Sequence, residues 1–292
     1  MRFGDDDRVD SSVEDRRGWT PMHYGAGAGG LGLVGVVVVL LIRALGGEVQ
    51  IVDDRTGVPT SVDQTTSGNT TRATPTAGES CKGASSLADQ GKFVACVETN
   101  VQNFWRNELP GYEDSALVLY RDDTPSGCGE ANSAVGPFYC PLDGKVYLDL
   151  GFFDELHRRF GAKGGDFAEA YVVAHEYGHH VQDIVGTMQK VERAERHSPA
   201  DANAWSVKLE LQADCYAGVW GHEANVEGKL EPGEVGQALD AASSVGDDRI
   251  QKRIRGRANP ESFTHGSAAD RMKWFRTGMD SGDMKSCDAI FD

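Results

Sequence analysis

The stretch 171–185 constrains the fold of this chain more than any other feature. It reads Tyr-Val-Val-Ala-His-Glu-Tyr-Gly-His-His-Val-Gln-Asp-Ile-Val, so a His-Glu-x-x-His motif lies within a largely apolar run. In a helix, His175 and His179 are about one turn apart and point the same way. Because apolar residues flank the motif on both sides, this helix has to be buried, and buried histidines need partners. The sequence therefore predicts a central helix that a second element must supply with polar groups.

The same spacing is that of a zinc site. Both imidazoles can bind one ion, and Glu176, about 100° further round the helix, can take a proton from water on that ion. Gly178 would let a neighbouring element approach the helix closely. The alternative is a pair of hydrogen-bonded core histidines with no metal. Other divalent metals also remain open, because histidine and carboxylate ligands accept several.

A catalytic zinc site has three protein ligands and one open position, so a third ligand should come from another element. Glu210 and Asp214 lie in a second helical stretch that apolar residues flank. They are four residues apart, so both can face the same way. One can bind the metal while the other accepts the ring N–H of a ligand histidine. The spacing does not decide which carboxylate has which role, and both could instead be solvated surface acids.

The remaining pattern predicts an α+β fold. A helix is expected over 85–109, a strand over 116–120, and a hairpin over 137–150 with its turn at Asp143-Gly144. Helices are then expected at 152–160, 166–186, 201–223, from Pro232 into the 240s, and at 268–279. This order predicts a mostly helical domain with a small antiparallel sheet. The length of 292 residues suits one or two domains.

A membrane anchor is predicted ahead of this domain. Residues 25–42 carry no charge and are just long enough to span a bilayer as a helix. A cleaved signal peptide is the alternative, but Arg43 follows directly and no Ala-x-Ala site comes after it. Arginines are more frequent before the span than after it, which predicts a cytoplasmic N-terminus and a single-pass protein of the cell membrane. The expected parts are a polar cytoplasmic tail (1–24), the anchor (25–42), a flexible linker (43–79) and an extracytoplasmic domain (80–292).

The cysteines and the net charge narrow the function further. All six cysteines follow the predicted span, so disulfides are expected, and a Gly- and Pro-containing loop makes Cys128–Cys140 the first candidate pair. Six reduced thiols in a cytosolic domain are the alternative. The formal net charge of −16, with no cluster of lysines and arginines, excludes a nucleic-acid partner.

Together the two metal motifs resemble those of the gluzincin metallopeptidases, in which the glutamate of a Glu-x-x-x-Asp helix completes the His-Glu-x-x-His site. The chain more closely resembles the YpfJ-like family of bacterial neutral zinc metallopeptidases. The segments that carry this resemblance are Val-Glu-Asp-Arg-Arg-Gly (13–18), Gly-Pro-Phe-Tyr-Cys-Pro (136–141), Val-Tyr-Leu-Asp (146–149), 175–182, 210–218 and Phe-Thr-His-Gly-Ser (263–267). They span nearly the whole chain.

The resemblance implies a zincin-like domain in which Zn²⁺ is bound by His175, His179 and Glu210. Asp214 would then be the carboxylate behind a ligand histidine, and Glu176 the general base. The expected function is a membrane-anchored zinc endopeptidase that hydrolyses protein or peptide substrates. The alternative is a catalytically inactive, zinc-stabilised binding or scaffold domain; the presence of Glu176 favours the enzyme, because a structural site needs no base.

Two further roles follow from the resemblance. The strand over 145–150 would pair with an extended substrate. His265 or Tyr216 would stabilise the oxyanion of the reaction. Helix geometry separately predicts that His180 faces away from the ion, because adjacent helix positions diverge by about 100°. Residues 268–271 (Ala-Ala-Asp-Arg) depart from the Ser-x-Gln-Arg pattern of the family. The sequence does not predict the physiological substrate or the oligomeric state.

Overall fold

The computed structural model describes residues 1–10, 12–18, 75–133, 135–158 and 160–292. Within these ranges the strands are β1 (Val13–Asp15), β2 (Ala116–Tyr120), β3 (Asp123–Ser126), β4 (Gly129–Asn132), β5 (Phe138–Cys140) and β6 (Lys145–Asp149). The α-helices are α1 (Gln90–Glu108), α2 (Gly151–Arg158), α3 (Asp166–Ile184), α4 (Thr187–His197), α5 (Ala202–Val226), α6 (Glu234–Ser244), α7 (Asp247–Arg255) and α8 (Ala268–Ser281). Short 3-10 helices follow at Pro199–Asp201, Pro260–Ser262 and Met284–Phe291.

The main sheet is mixed, which corrects the predicted antiparallel sheet. Its strand order is β1-β2-β6-β5, with β1–β2 and β2–β6 parallel and β5–β6 antiparallel. The predicted β5–β6 hairpin is present, and Gly144 at its turn has a φ of +66°, which favours glycine. β6 nevertheless runs parallel to β2, and the chain between them passes through a separate antiparallel ribbon, β3–β4, and then β5. The strand expected to pair with substrate, β6, is therefore interior, and β5 is at the edge.

The N-terminal residues belong to the folded domain, whereas a polar tail was expected over 1–24. Phe3 and Val9 are buried, and the Phe3 ring lies edge-on to Phe93 of α1. β1 adds a strand to the sheet, with Val13 opposite Leu117 of β2. The sequence did not reveal that this segment belongs to the domain, because the segment is mostly polar and only a few of its apolar residues enter the core. The boundaries predicted after residues 24 and 42 lie outside the described residues.

The prediction of a membrane-spanning helix is wrong, and with it the predicted single-pass location. In the described ranges, no helix combines the length and the apolar character that a bilayer crossing requires. The predicted span itself, 25–42, lies outside them. The pairing of β1 with β2 also conflicts with the predicted topology. A single crossing between these strands would put them on opposite sides of the membrane, where they could not share hydrogen bonds.

Helices α3 and α5 form the centre of the helical part. From Ala170 to Gln182, every residue of α3 is buried, as its apolar sequence predicted. α5 packs on α8 at very short range, since a Cβ on Gly218 would lie 2.1 Å from the carbonyl oxygen of Phe275. Helices α4 and α7 were not predicted individually. Each is polar over most of its length and buries one hydrophobic side chain, Val191 in α4 and Ile250 in α7.

Three disulfides tie the elements together, which confirms the expected disulfide framework. The predicted Cys128–Cys140 bond joins the β3–β4 ribbon to β5. Cys81–Cys96 ties the residues before α1 to that helix. Cys215–Cys287 ties the C-terminal 3-10 helix to α5. In the chain-entropy account, a bond of this kind stabilises a fold by about 2–4 kcal/mol.

Candidate metal centre

Three side chains from two helices converge at one point. His175 and His179 of α3 direct their Nε2 atoms toward Glu210 of α5, at 3.3 Å from Oε2 and 3.4 Å from Oε1. One ligand atom from each of the three residues lies within 4.8 Å of the others. The structure thus brings together the three residues that the sequence proposed as ligands.

A glycine lets the two helices come this close. A Cβ on Gly178 would lie 2.9 Å from the carbonyl oxygen of Ala213 and 3.1 Å from its Cα, so a side chain there would push α5 away. Gly178 is on the same face of α3 as His175 and His179, as the helical repeat requires. The expectation that this glycine permits a close approach is confirmed.

A buried ion pair orients the first histidine. Asp214 accepts a hydrogen bond from Nδ1 of His175 at 2.9 Å and another from the hydroxyl of Tyr171 at 2.5 Å. Arg271 of α8 donates two hydrogen bonds to the same carboxylate, from Nε to Oδ2 at 2.8 Å and from Nη2 to Oδ1 at 2.9 Å. Burial raises the pKa of Asp214, but the charge of Arg271 and the bond to His175 outweigh it and lower the pKa to about 2. Asp214 therefore stays ionised.

Arg271 is the main residue that the sequence analysis missed. It lies in the stretch that departs from the family pattern, and the structure places it 4% exposed behind the metal site. An available signal was its position three residues after Ala268 and four before Phe275, both buried, on one face of a helix. A charge on such a face needs a buried partner of opposite charge.

Amide groups orient the second histidine. Gln182, one turn after His179 on α3, accepts from Nδ1 of that ring at 2.8 Å. Its own Nε2 donates to the carbonyl oxygen of Leu209 at 2.7 Å and to Oε1 of Gln212 at 3.1 Å. Both glutamines are fully buried. Both histidines thus present an Nδ1 that is occupied by a partner and an Nε2 that faces Glu210.

The donor set fits a zinc ion. When Nδ1–H of each ring is donated, the two Nε2 lone pairs and the Glu210 carboxylate face one another with no donor between them. Two imidazole nitrogens and a carboxylate are a common ligand set for catalytic zinc. In the metal-free protein, burial lowers the pKa of His175, but Asp214 and Glu210 outweigh it and raise the pKa to about 10. A bound metal takes the place of that proton.

Glu176 and His265 line the same cavity as the three converging residues. Burial raises the pKa of Glu176, although the neighbouring histidines oppose the shift. His265 sits in a loop that Asp247 of α7 holds, since Oδ2 accepts the backbone N–H groups of Thr264, His265 and Gly266 at 2.7–3.0 Å. Burial lowers the pKa of His265, but Glu210 and Asp247 raise it overall.

Tyr216 and His180 lie elsewhere. Tyr216 is 1% exposed and packs edge-on to Trp105, so it belongs to the core rather than to the cavity. His180 contacts the carbonyl oxygen of Glu113 through Nε2 at 2.7 Å and the hydroxyl of Tyr139 through Nδ1 at 3.2 Å. It faces away from the converging ligands, as predicted.

The cavity in front of these residues has a volume of about 520 Å³ and mostly apolar walls. The apolar lining includes Phe152 and Leu156 of α2, Met188 and Val191 of α4, and Val245 and Ile250 near α7. Edge strand β5 contributes Phe138 and Tyr139. Acidic side chains also line it, namely Glu155, Asp183, Glu192 and Glu195. A volume between about 300 and 1,000 Å³ is typical of a ligand site.

Comparison with known proteins finds one family and relatives that match most of the chain. A family profile described as "Putative neutral zinc metallopeptidase" matches residues 1–290. The chain is 40% identical to "Uncharacterized protein YpfJ" of Escherichia coli (strain K12), covering 97% of this chain and 96% of that protein. It is 45% identical to "Uncharacterized protein Rv2575" of Mycobacterium tuberculosis (strain H37Rv), covering 70% of this chain and 73% of that protein. No solved structure matches the chain.

Proposed function

Since the chain belongs to the neutral zinc metallopeptidase family, we propose that the cavity is the active site of a zinc endopeptidase, with His175, His179 and Glu210 as its metal ligands. The observation that carries the proposal is the position of Glu176. This carboxylate lines the same cavity as the three converging ligands and does not belong to the ligand cluster itself. A site with only a structural metal has no use for a buried acid that is neither a ligand nor bonded to one.

The chemistry divides between the metal and the side chains. His175, His179 and Glu210 would hold a zinc ion, which would supply polarisation of the scissile carbonyl and a lower pKa of the attacking water. Glu176 takes a proton from the attacking water and returns it to the leaving amine, which a carboxylate of raised pKa does more readily at neutral pH. His265 donates a hydrogen bond to the developing oxyanion. Asp214, which Arg271 holds, keeps His175 in the orientation that presents Nε2.

The cavity also supports a substrate class. Among the described strands, β5 pairs on one side only, with β6, so its other edge can receive an extended peptide. The apolar walls favour a large hydrophobic side chain next to the scissile bond. The carboxylates in the lining disfavour acidic residues at neighbouring positions. The proposed substrates are therefore peptides or unfolded segments with a bulky apolar residue at the cleavage point.

A peptide library digested by the zinc-loaded protein and analysed by mass spectrometry tests this function. Wild type should cleave next to large apolar residues, and Glu176→Gln should lose at least about 100-fold in kcat/KM, the usual contribution of a general base. Glu130→Gln, the same substitution at an exposed position of β4, should cleave like wild type. Equal turnover by wild type and Glu176→Gln would show that the cleavage does not come from this site. Binding of peptides with no cleavage would instead support the binding-domain alternative.

A further inference from the structure

A continuous chain of hydrogen bonds runs from the second proposed metal ligand to the C-terminal 3-10 helix. Nδ1 of His179 contacts Oε1 of Gln182, and Nε2 of Gln182 contacts Oε1 of Gln212. Nε2 of Gln212 then donates to Oδ1 of Asp288 at 3.1 Å. The chain crosses three elements, α3, α5 and the helix Met284–Phe291. Its two glutamines are 0% exposed, so the bond between them is shielded from water.

The order of donors and acceptors in this chain has only one consistent direction. A glutamine amide can be turned end for end, so its orientation depends on its partners. Asp288 is a carboxylate and can only accept, which turns the NH₂ group of Gln212 toward it. Oε1 of Gln212 must then face Gln182 and accept from its NH₂ group. Oε1 of Gln182 in turn faces His179, whose Nδ1 must carry the proton.

The carbonyl oxygen of Leu209 supports the same direction at the middle of the chain. It accepts from Nε2 of Gln182 at 2.7 Å, and a carbonyl oxygen cannot donate. Turning the Gln182 amide over would place two oxygens against each other. At the metal-site end of the hydrogen-bond chain, the His179 ring therefore has its proton on Nδ1 and its lone pair on Nε2. This is the form that can bind a metal through Nε2.

Asp288, the last residue of this hydrogen-bond chain, is held in place by contacts of residues before and after it in the sequence. The preceding residue, Cys287, is fully buried and bonded to Cys215, which follows Asp214 on α5. After Asp288 in the sequence, the ring of Phe291 stacks on Trp205 of α5, with centroids 6.3 Å apart. Asp288 itself is exposed, so its position depends on these two anchors.

We infer that Asp288, held by the Cys215–Cys287 disulfide, is a positioning residue that, together with the carbonyl oxygen of Leu209, fixes the tautomer of His179 through Gln212 and Gln182. The inference rests on the proposed zinc centre, because a proton on Nδ1 of His179 leaves Nε2 free to bind the metal. It makes the C-terminal 3-10 helix a part of the metal site, although no residue of that helix reaches the ion.

The tautomer of His179 in the metal-free protein is the direct readout. Long-range ¹H–¹⁵N NMR distinguishes Nδ1–H, Nε2–H and doubly protonated rings. Wild type should show the Nδ1–H form alone. In Asp288→Ala, the Gln212 amide is free to turn and to place its NH₂ group against that of Gln182. Only the bond from Gln182 to the Leu209 carbonyl oxygen then opposes the turning of Gln182, so a minor Nε2–H form should appear beside the Nδ1–H form. The zinc dissociation constant, measured by chelator competition, should rise about 10- to 100-fold, as for other groups behind metal ligands.

Three further variants separate this role from a general loss of structure. Asp288→Asn keeps an acceptor oxygen but, as an amide, can itself be turned, so it should restore both readouts only in part. Asp292→Ala removes another exposed carboxylate of the C-terminal residues and should change neither readout. Gln212→Leu breaks the chain in the middle and should match Asp288→Ala, and the double variant should be no worse than either single one. An unchanged His179 tautomer in Asp288→Ala would overturn the inference. If wild type binds no zinc, the proposed function fails, and the tautomer measurement still decides the inference.

Discussion

Arg271 forms a two-point contact with Asp214, with Nε 2.8 Å from Oδ2 and Nη2 2.9 Å from Oδ1. Both side chains are almost completely buried, and Asp214 also accepts from His175. The contact joins α8 to α5 directly behind the metal site. It is therefore the point at which the stability of the fold and the orientation of a metal ligand depend on the same charges.

Replacement of Arg271 by methionine tests this dependence. Removing one partner leaves the Asp214 charge buried and uncompensated, so the free energy of unfolding should fall by about 3–5 kcal/mol. Zinc affinity should fall as well, because the pKa of Asp214 would rise and its bond to His175 would weaken. Urea denaturation measures the first effect and chelator competition the second. Arg276→Met, an exposed position of the same helix, is the control; an equal loss in both variants would contradict the special role of Arg271.

The close approach of α3 and α5 predicts a specific effect of Gly178→Ala. The added Cβ would lie 2.9 Å from the Ala213 carbonyl oxygen, so the helices must separate at a cost of about 1–3 kcal/mol. The shift also moves Glu210 away from the two histidines, and zinc affinity should decrease. Gly236→Ala in α6 is the matched control, since a Cβ there meets nothing within 4 Å. It should leave stability unchanged or raise it slightly, because alanine favours the helix.

Glu98 predicts a pH dependence of stability that is separate from the metal site. This α1 residue is 0% exposed and accepts hydrogen bonds from Ser12, Thr99 and Gln102. Burial raises its pKa from 4.5 to about 7, although these bonds oppose the shift. The folded protein thus holds the proton more tightly than the unfolded chain. Its contribution is fully present below pH 4.5 and is lost as pH rises through about 7.

The corresponding variant is Glu98→Gln, which cannot ionise. Between about pH 5 and pH 8, wild type should lose up to about 3 kcal/mol of stability from this group, the energy equivalent of the pKa shift, and the variant should lose less. Urea titrations at several pH values, compared between the two proteins, measure the difference. Glu108→Gln, exposed at the end of the same helix, should follow wild type. Parallel profiles for wild type and Glu98→Gln would contradict the assignment.

The apolar cavity predicts a change in substrate preference when it is narrowed. Val245 lines the cavity, so Val245→Phe should exclude a large side chain of the substrate. For a peptide with phenylalanine next to the cleaved bond, kcat/KM should fall about 10- to 200-fold, while an alanine-containing peptide should be cleaved almost as before. Val226→Phe, at a position that is 65% exposed, is the control. A uniform loss for both peptides would place Val245 outside the specificity pocket.

The sequence by itself determined those features that depend on the spacing of residues within one helix or turn. The i, i+4 repeat predicted that His175 and His179 share one face of a buried helix, and that Glu210 and Asp214 share a face of another. The hairpin turn at Gly144 and the close approach at Gly178 were readable for the same reason. Each of these features depends on a few residues in one element, so no other part of the chain had to be known.

Only the tertiary structure decided how separate elements meet. The register of α5 against α3 places Glu210 at the two Nε2 atoms and Asp214 at Nδ1 of His175, which their equal spacing could not distinguish. Distant segments supply Arg271 behind Asp214, and β1 beside β2. Such contacts bring together residues far apart in sequence, and their geometry depends on the packing of the whole core. A periodicity within one helix or strand carries no information about that packing.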